Sequence, residues 1–145
     1  MIPIQKKVLI VEDSPMMRAR LIEICNSVND LEIVGQSETS EDAIDSIDAT
    51  NPDIVLLDIH LRSGNGLDVL RSIRMNNRPA VVIVLTNVPY PQYREVSLKL
   101  GADYFFNKAT EFDMVATTLT SLSELGRINR TESHGIQTIE RSFLQ

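Results

Sequence analysis

Cysteine is nearly missing from this 145-residue sequence, which has Cys25 alone. A single thiol excludes an internal disulfide and a cysteine-based zinc site. Basic residues are also short, 14 Lys and Arg against 20 Asp and Glu, for a net charge of −6. That balance argues against nucleic acid or an anionic membrane as the main partner. Apolar runs all fall short of ten residues, so none is expected to span a bilayer. The apolar stretch before Glu12 and Asp13 is too short for a secretory signal. What is present is ordinary globular composition, 43% hydrophobic and 23% charged, in a length suited to one domain. The sequence therefore reads as a single cytoplasmic domain.

Short apolar runs alternate with helical patterns. Lys7–Val11 is a β-branched run that stops at Glu12-Asp13. Ser14 then offers an N-cap and Pro15 a first helical position, ahead of one apolar face formed by Met17, Leu21, Ile24, Cys25 and Val28. Leu31–Gln36 predicts a second strand, and a helix opens at Ser40, carrying Ala43, Ile44 and Ile47. Asp53–Leu57 predicts a third strand, apolar on both faces and ending at Asp58. The Ser63-Gly64-Asn65-Gly66 loop leads to a helix bearing Leu67, Leu70 and Ile73; as a dinucleotide motif it is too short, and it reads as turn chemistry. Ala80–Leu85 is a fourth strand ending at Thr86. A helix with Tyr93, Val96 and Leu100 is stopped by Gly101. Tyr104–Phe106 is a short fifth strand running into Lys108, before a last helix through Leu122 with Gly126 as its stop.

Five strand–helix units with near-continuous apolar strands imply an α/β fold. The expected form is a doubly wound parallel sheet of flavodoxin-like (βα)5 type, strand order 2-1-3-4-5. Residues 1–126 form that domain. Residues 127–145 are a polar C-terminal tail with Ile136, Ile139, Phe143 and Leu144 at weakly helical spacing. Loose chain ends favour disorder there, with a docking helix as the alternative. About twenty residues after the fifth helix leave no room for an output domain of usual size.

Ligands of such sheets bind beyond the carboxyl ends of the strands. Those ends deliver Glu12 and Asp13, Asp58, Thr86 and Lys108. Two unit charges about 4 Å apart repel by roughly 4 kcal/mol at an effective dielectric near 20, so clustered carboxylates call for a cation. All-oxygen ligands point to Mg²⁺, or Mn²⁺ in its place, and Mg²⁺ favours phosphate oxygens as further ligands. Asp58 is then the candidate nucleophile, and Thr86 and Lys108 hold phosphoryl oxygens.

This set of anchors resembles the receiver domain of two-component response regulators. LIVEDSPMMR, DIVLLDIHL, GNGLDVLR, VIVLTN and GADYFFNK stand in register with that family over about residues 5–125. The resemblance implies that Asp58 accepts a phosphoryl group from a phosphohistidine on a sensor histidine kinase or phosphotransfer protein. It implies Mg²⁺ held by Asp13, Asp58 and the backbone carbonyl of His60, with Glu12 acting through water. Thr86 and Phe105 are implied as the switch pair. Output would be by docking of an effector protein on the face of the fourth helix, fifth strand and fifth helix; a homodimer is compatible with it. The protein would be a signalling phosphoacceptor of a phosphorelay, not an enzyme on other substrates. An unphosphorylated interaction module and a Mg²⁺-dependent aspartyl-phosphate phosphohydrolase are the alternatives. The latter usually has a second aspartate where His60 stands.

Several positions depart from the family pattern. Arg62 stands where proline is frequent, Asn87 is larger than the usual small residue, and Ala109 replaces a proline after Lys108. Phe105 lacks the hydroxyl of a tyrosine. His60 reads as an exposed loop residue, His134 as solvated and Cys25 as core. Tyr90, Tyr93, Phe105 and Phe106 suggest a partner face, with Tyr93 and Phe106 equally readable as core.

Overall fold

The apolar runs pair side by side as five parallel strands. The computed structural model describes residues 5–87 and 90–131. The strands are β1 (Lys6–Val11), β2 (Leu31–Ser37), β3 (Ile54–Asp58), β4 (Val81–Thr86) and β5 (Tyr104–Asn107). They alternate with helices α1 (Pro15–Ser27), α2 (Ser40–Thr50), α3 (Gly66–Met75), α4 (Pro91–Lys99) and α5 (Asp113–Thr131). The spatial order is β2-β1-β3-β4-β5, the flavodoxin-like order expected from the alternation.

Strand periodicity divides the core in two. Leu9, Val11, Val55, Leu57, Val82 and Val84 pack with Ala43 and Ile47 of α2 and Val69, Leu70 and Ile73 of α3. The alternate residues Val8, Ile10, Ile54, Leu56, Ile83 and Leu85 pack with Leu21 and Cys25 of α1 and Val115, Leu119 and Leu122 of α5. β3, paired on both edges and covered on both faces, is buried along its whole length, including Asp58. The central strand therefore carries the Asp58 carboxylate out of the most enclosed part of the sheet.

Helix starts follow local chemistry. Ser14 caps α1 through a bond from Met17 N at 3.3 Å, with Pro15 at the first position. Thr39 caps α2, and Asn65 caps α3 through a bond from Leu67 N at 2.8 Å. Gly101, with φ of +103°, closes the turn after α4, where Arg74 donates to its carbonyl at 3.0 and 2.8 Å. The expected stop at Gly126 is not seen, because α5 runs on to Thr131. One glycine in a helix costs only about 1 kcal/mol relative to alanine and does not by itself end it. Residues 132–145, with His134, Ile136, Ile139, Phe143 and Leu144, lie outside the described residues.

Candidate functional site

The apolar runs of the inner strands give way to polar residues at their carboxyl ends, and parallel pairing brings those ends to one edge. Glu12 and Asp13 follow β1, Asp58 ends β3, Thr86 ends β4 and Lys108 follows β5. Glu12, Asp13 and Asp58 each offer a carboxylate oxygen within 4.8 Å of the others. Glu12 is buried at 1% exposure and Asp58 at 6%, while Asp13 is partly exposed.

Lys108 answers part of this charge. Its Nζ donates to Asp58 Oδ2 at 3.0 Å and makes a close ion pair with Glu12 Oε1. Glu12 Oε2 accepts from Ser14 N at 3.2 Å, and Asp58 Oδ1 accepts from His60 N at 3.2 Å. Burial pushes the Glu12 carboxyl up to about 7, against the hydrogen bond from Lys108; the nearby charge of Asp58 adds to the rise. One ammonium for three carboxylates leaves the cluster electron-rich. An all-oxygen donor set of this size and charge fits Mg²⁺.

Above the carboxylates an open cavity of about 260 Å³ is lined by Glu12, Asp13, Ser14, Met17, Asp58, His60, Asn87 and Lys108. It gives the Asp58 carboxylate an approach from solvent. Among the expected residues, His60 is exposed at its rim. Thr86 is fully buried, pairs in register with Asn107 of β5 and lies outside that lining, whereas its neighbour Asn87 belongs to it. Phe105 is buried at 7% exposure, its ring in the core layer on the α2–α3 side. Phe106 is buried in the opposite layer, so neither phenylalanine is part of an exposed partner face. Tyr90 is exposed and Tyr93 half-buried. Cys25 is core, and its thiol is pushed up to about 11 by burial.

Three supporting contacts escaped the sequence reading. Gly66 N donates to Ile59 O at 2.8 Å, and a Cβ on Gly66 would stand 2.1 Å from the Asp58 carbonyl oxygen. Only glycine lets the start of α3 seat against the Asp58 backbone. Arg18 donates to the Glu12 carbonyl at 2.9 Å and pairs with Glu38 at 3.0 Å, tying α1 to the loop after β2. Arg62, in place of the frequent proline, reaches the same Glu38 at 3.5 Å. The cue for Arg18 was its place one turn after the Ser14 cap, which directs a long side chain back over the strand ends.

Residues 8–120 match the family model described as the response regulator receiver domain. The chain belongs to that family. A protein-glutamate methylesterase/protein-glutamine glutaminase of Vibrio vulnificus is 36% identical over 124 residues, covering 85% of this chain and 35% of its own length. The sensory transduction protein LytT of Bacillus cereus is 33% identical over 113 residues, covering 77% of this chain and 45% of its own. The chain thus spans a third to a half of these curated relatives. The receiver fold is equally evident in solved structures. The response regulator domain of Thermotoga maritima CheB superposes with a TM-score of 0.72 at 27% identity, over 83% of this receiver and 95% of that domain. A chain of the CheX–CheY–BeF3–Mg²⁺ complex from Borrelia burgdorferi gives 0.74 at 28% identity, over 82% and 90%. Among the described residues no helix is long and apolar enough to cross a membrane.

Proposed function

We propose that this receiver takes a phosphoryl group onto Asp58 from a phosphohistidine of a sensor histidine kinase or phosphotransfer protein. The observation that carries the reading is Lys108 Nζ on Asp58 Oδ2 at 3.0 Å, beside two further carboxylates and below an open cavity. A carboxylate oxygen of Asp58 attacks phosphorus, the P–N bond breaks, and the imidazole leaves with that electron pair and takes a proton. The Lys108 ammonium then balances charge on the phosphoryl oxygens, and the Thr86 hydroxyl supplies a further donor. Asp13, Asp58 and the His60 carbonyl would hold Mg²⁺, with Glu12 acting through water; bound there, the ion neutralises the carboxylates and the incoming phosphoryl oxygens. On this reading the receiver catalyses only its own phosphorylation and dephosphorylation, in the cytoplasm where such donors are made.

Thr86 and Phe105 are the proposed switch pair. The effector surface is the α4–β5–α5 face, where Tyr90, Val96 and Met114 are exposed. The tail beyond the fifth helix is proposed to play no part in the chemistry, since the family match ends at residue 120.

The test is transfer from an autophosphorylated histidine kinase to the purified chain, with and without EDTA. Mg²⁺-dependent transfer that is lost in Asp58→Asn supports the reading. Transfer that persists in Asp58→Asn overturns it.

A further inference from the structure

α4 is the most lightly fastened helix beside the site. It has nine residues, and Tyr90 at its N-cap makes no side-chain capping bond. Its single buried residue is Ser97, whose Oγ has no hydrogen-bond partner among the described residues. A helix that buries so little is held mainly by the few side chains that reach out from it. One of these is Tyr93, half-buried against the α2–α3 core layer. Its ring meets the His60 imidazole edge to face, centroids 5.4 Å apart and planes at 86°.

His60 is therefore gripped from two sides. Its backbone N–H donates to Asp58 Oδ1 at 3.2 Å, and its side chain rests on α4. It also lines the rim of the cavity over the acceptor. No other residue in that lining has a ring contact with α4 among the described residues.

We propose that Tyr93 is a positioning residue for the acceptor site. Through His60 it holds the loop after β3 in place and ties the placement of α4 to the lifetime of the phosphoryl group on Asp58. The inference rests on the phosphoacceptor reading above and adds the residue that regulates it. With the imidazole pinned at the rim, water reaches the acyl phosphate slowly. When the pin is lost, water attacks phosphorus more readily; the bond to the Asp58 oxygen breaks, and carboxylate, inorganic phosphate and a proton result. Linkage makes the effect reciprocal for binding: whatever binds α4 and shifts its first turn alters the site, and ligation of the site alters α4 by the same free energy.

The experiment compares Tyr93→Leu, Tyr93→Phe, His60→Ala and the double variant His60→Ala/Tyr93→Leu, each shown to be folded by its melting curve. Chains labelled with acetyl phosphate are followed as the label decays. Edge-to-face pairs are worth enough for Tyr93→Leu to decay at least about threefold faster. Tyr93→Phe keeps the ring and decays like the parent, and the double variant is no faster than His60→Ala. Unchanged or slower decay in Tyr93→Leu, or effects that multiply in the double variant, overturns the proposal. A second measurement needs no phosphorylation. Mg²⁺ added to the unlabelled chain shifts the Tyr93 ring resonances, and His60→Ala abolishes that shift. Tyr93 resonances that stay still in the parent also overturn the coupling. A Tyr93 shift that depends on His60, in a chain that never takes label at Asp58, supports the coupling and strikes the phosphoacceptor reading instead.

Discussion

Lys108 Nζ donates to Asp58 Oδ2 at 3.0 Å from the end of β5 to the end of β3, with β4 lying between the two strands. The ammonium has two buried carboxylates to neutralise, Asp58 and Glu12. It therefore both stabilises the resting site and competes with any cation that enters it.

Lys108→Met should leave that buried pair of acids without their counter-charge. Breaking a buried ion pair by removing one partner costs about 3–5 kcal/mol, so the metal-free variant should melt well below the parent. Mg²⁺ should then bind more tightly, by about fivefold or more, because a cation a few ångströms away no longer repels it. Melting curves with and without Mg²⁺ check both signs. Weaker Mg²⁺ binding would place Lys108 outside the charge balance of the site.

Asp13→Ala should weaken Mg²⁺ affinity more than about tenfold, a loss above about 1.4 kcal/mol, since one charged ligand is gone. Melting of the metal-free chain should change little by comparison, because Asp13 is partly exposed and makes no bond with Lys108. Calorimetric titration with Mg²⁺ gives the answer, and unchanged affinity would assign the cluster another purpose.

Glu12 predicts a pH dependence. Its folded-state value of about 7 lies above its ordinary 4.5. Between those limits the folded chain holds a proton that the unfolded chain has released. The Glu12 contribution to stability therefore falls as pH rises through this window, by a few kcal/mol in all, and is flat on either side. Denaturant melts of the metal-free protein at several pH values measure the slope, and Glu12→Gln should remove it. Stability rising through the window on account of Glu12 would reverse the sign of its environment.

Gly66→Ala should destabilise the fold by at least about 2 kcal/mol, as overpacking against a fixed backbone does. The clash is with the Asp58 carbonyl, 2.1 Å from the added Cβ, so acceptor geometry should suffer with stability. Urea unfolding together with the rate of labelling checks both. An alanine variant of parental stability would mean that the loop yields freely.

The strands and their order were legible because each strand is a near-continuous β-branched or apolar run ending on a polar residue. Pairing of parallel strands then collects Glu12, Asp13, Asp58, Thr86 and Lys108 at one edge without further information. Helix starts were legible where Ser14 and Pro15 stand together, since capping is local chemistry. The continuation of α5 past Gly126 was not, because a glycine signals a stop only weakly. Nor were the contacts that link distant segments: Arg18 with Glu38, Gly66 with the Asp58 carbonyl, Tyr93 with His60. Each joins loops whose shapes depend on the whole fold. The burial of Phe105 likewise follows from which face of β5 meets the core, which a strand of four residues does not announce.

Asp58 is the proposed acceptor. Intact-mass spectrometry after incubation with acetyl phosphate and Mg²⁺ tests it most directly. The parent should gain one phosphoryl group, with no gain in the presence of EDTA and none in Asp58→Asn. A phosphoryl group still gained by Asp58→Asn, or an unmodified parent chain under conditions that phosphorylate another receiver, would contradict it.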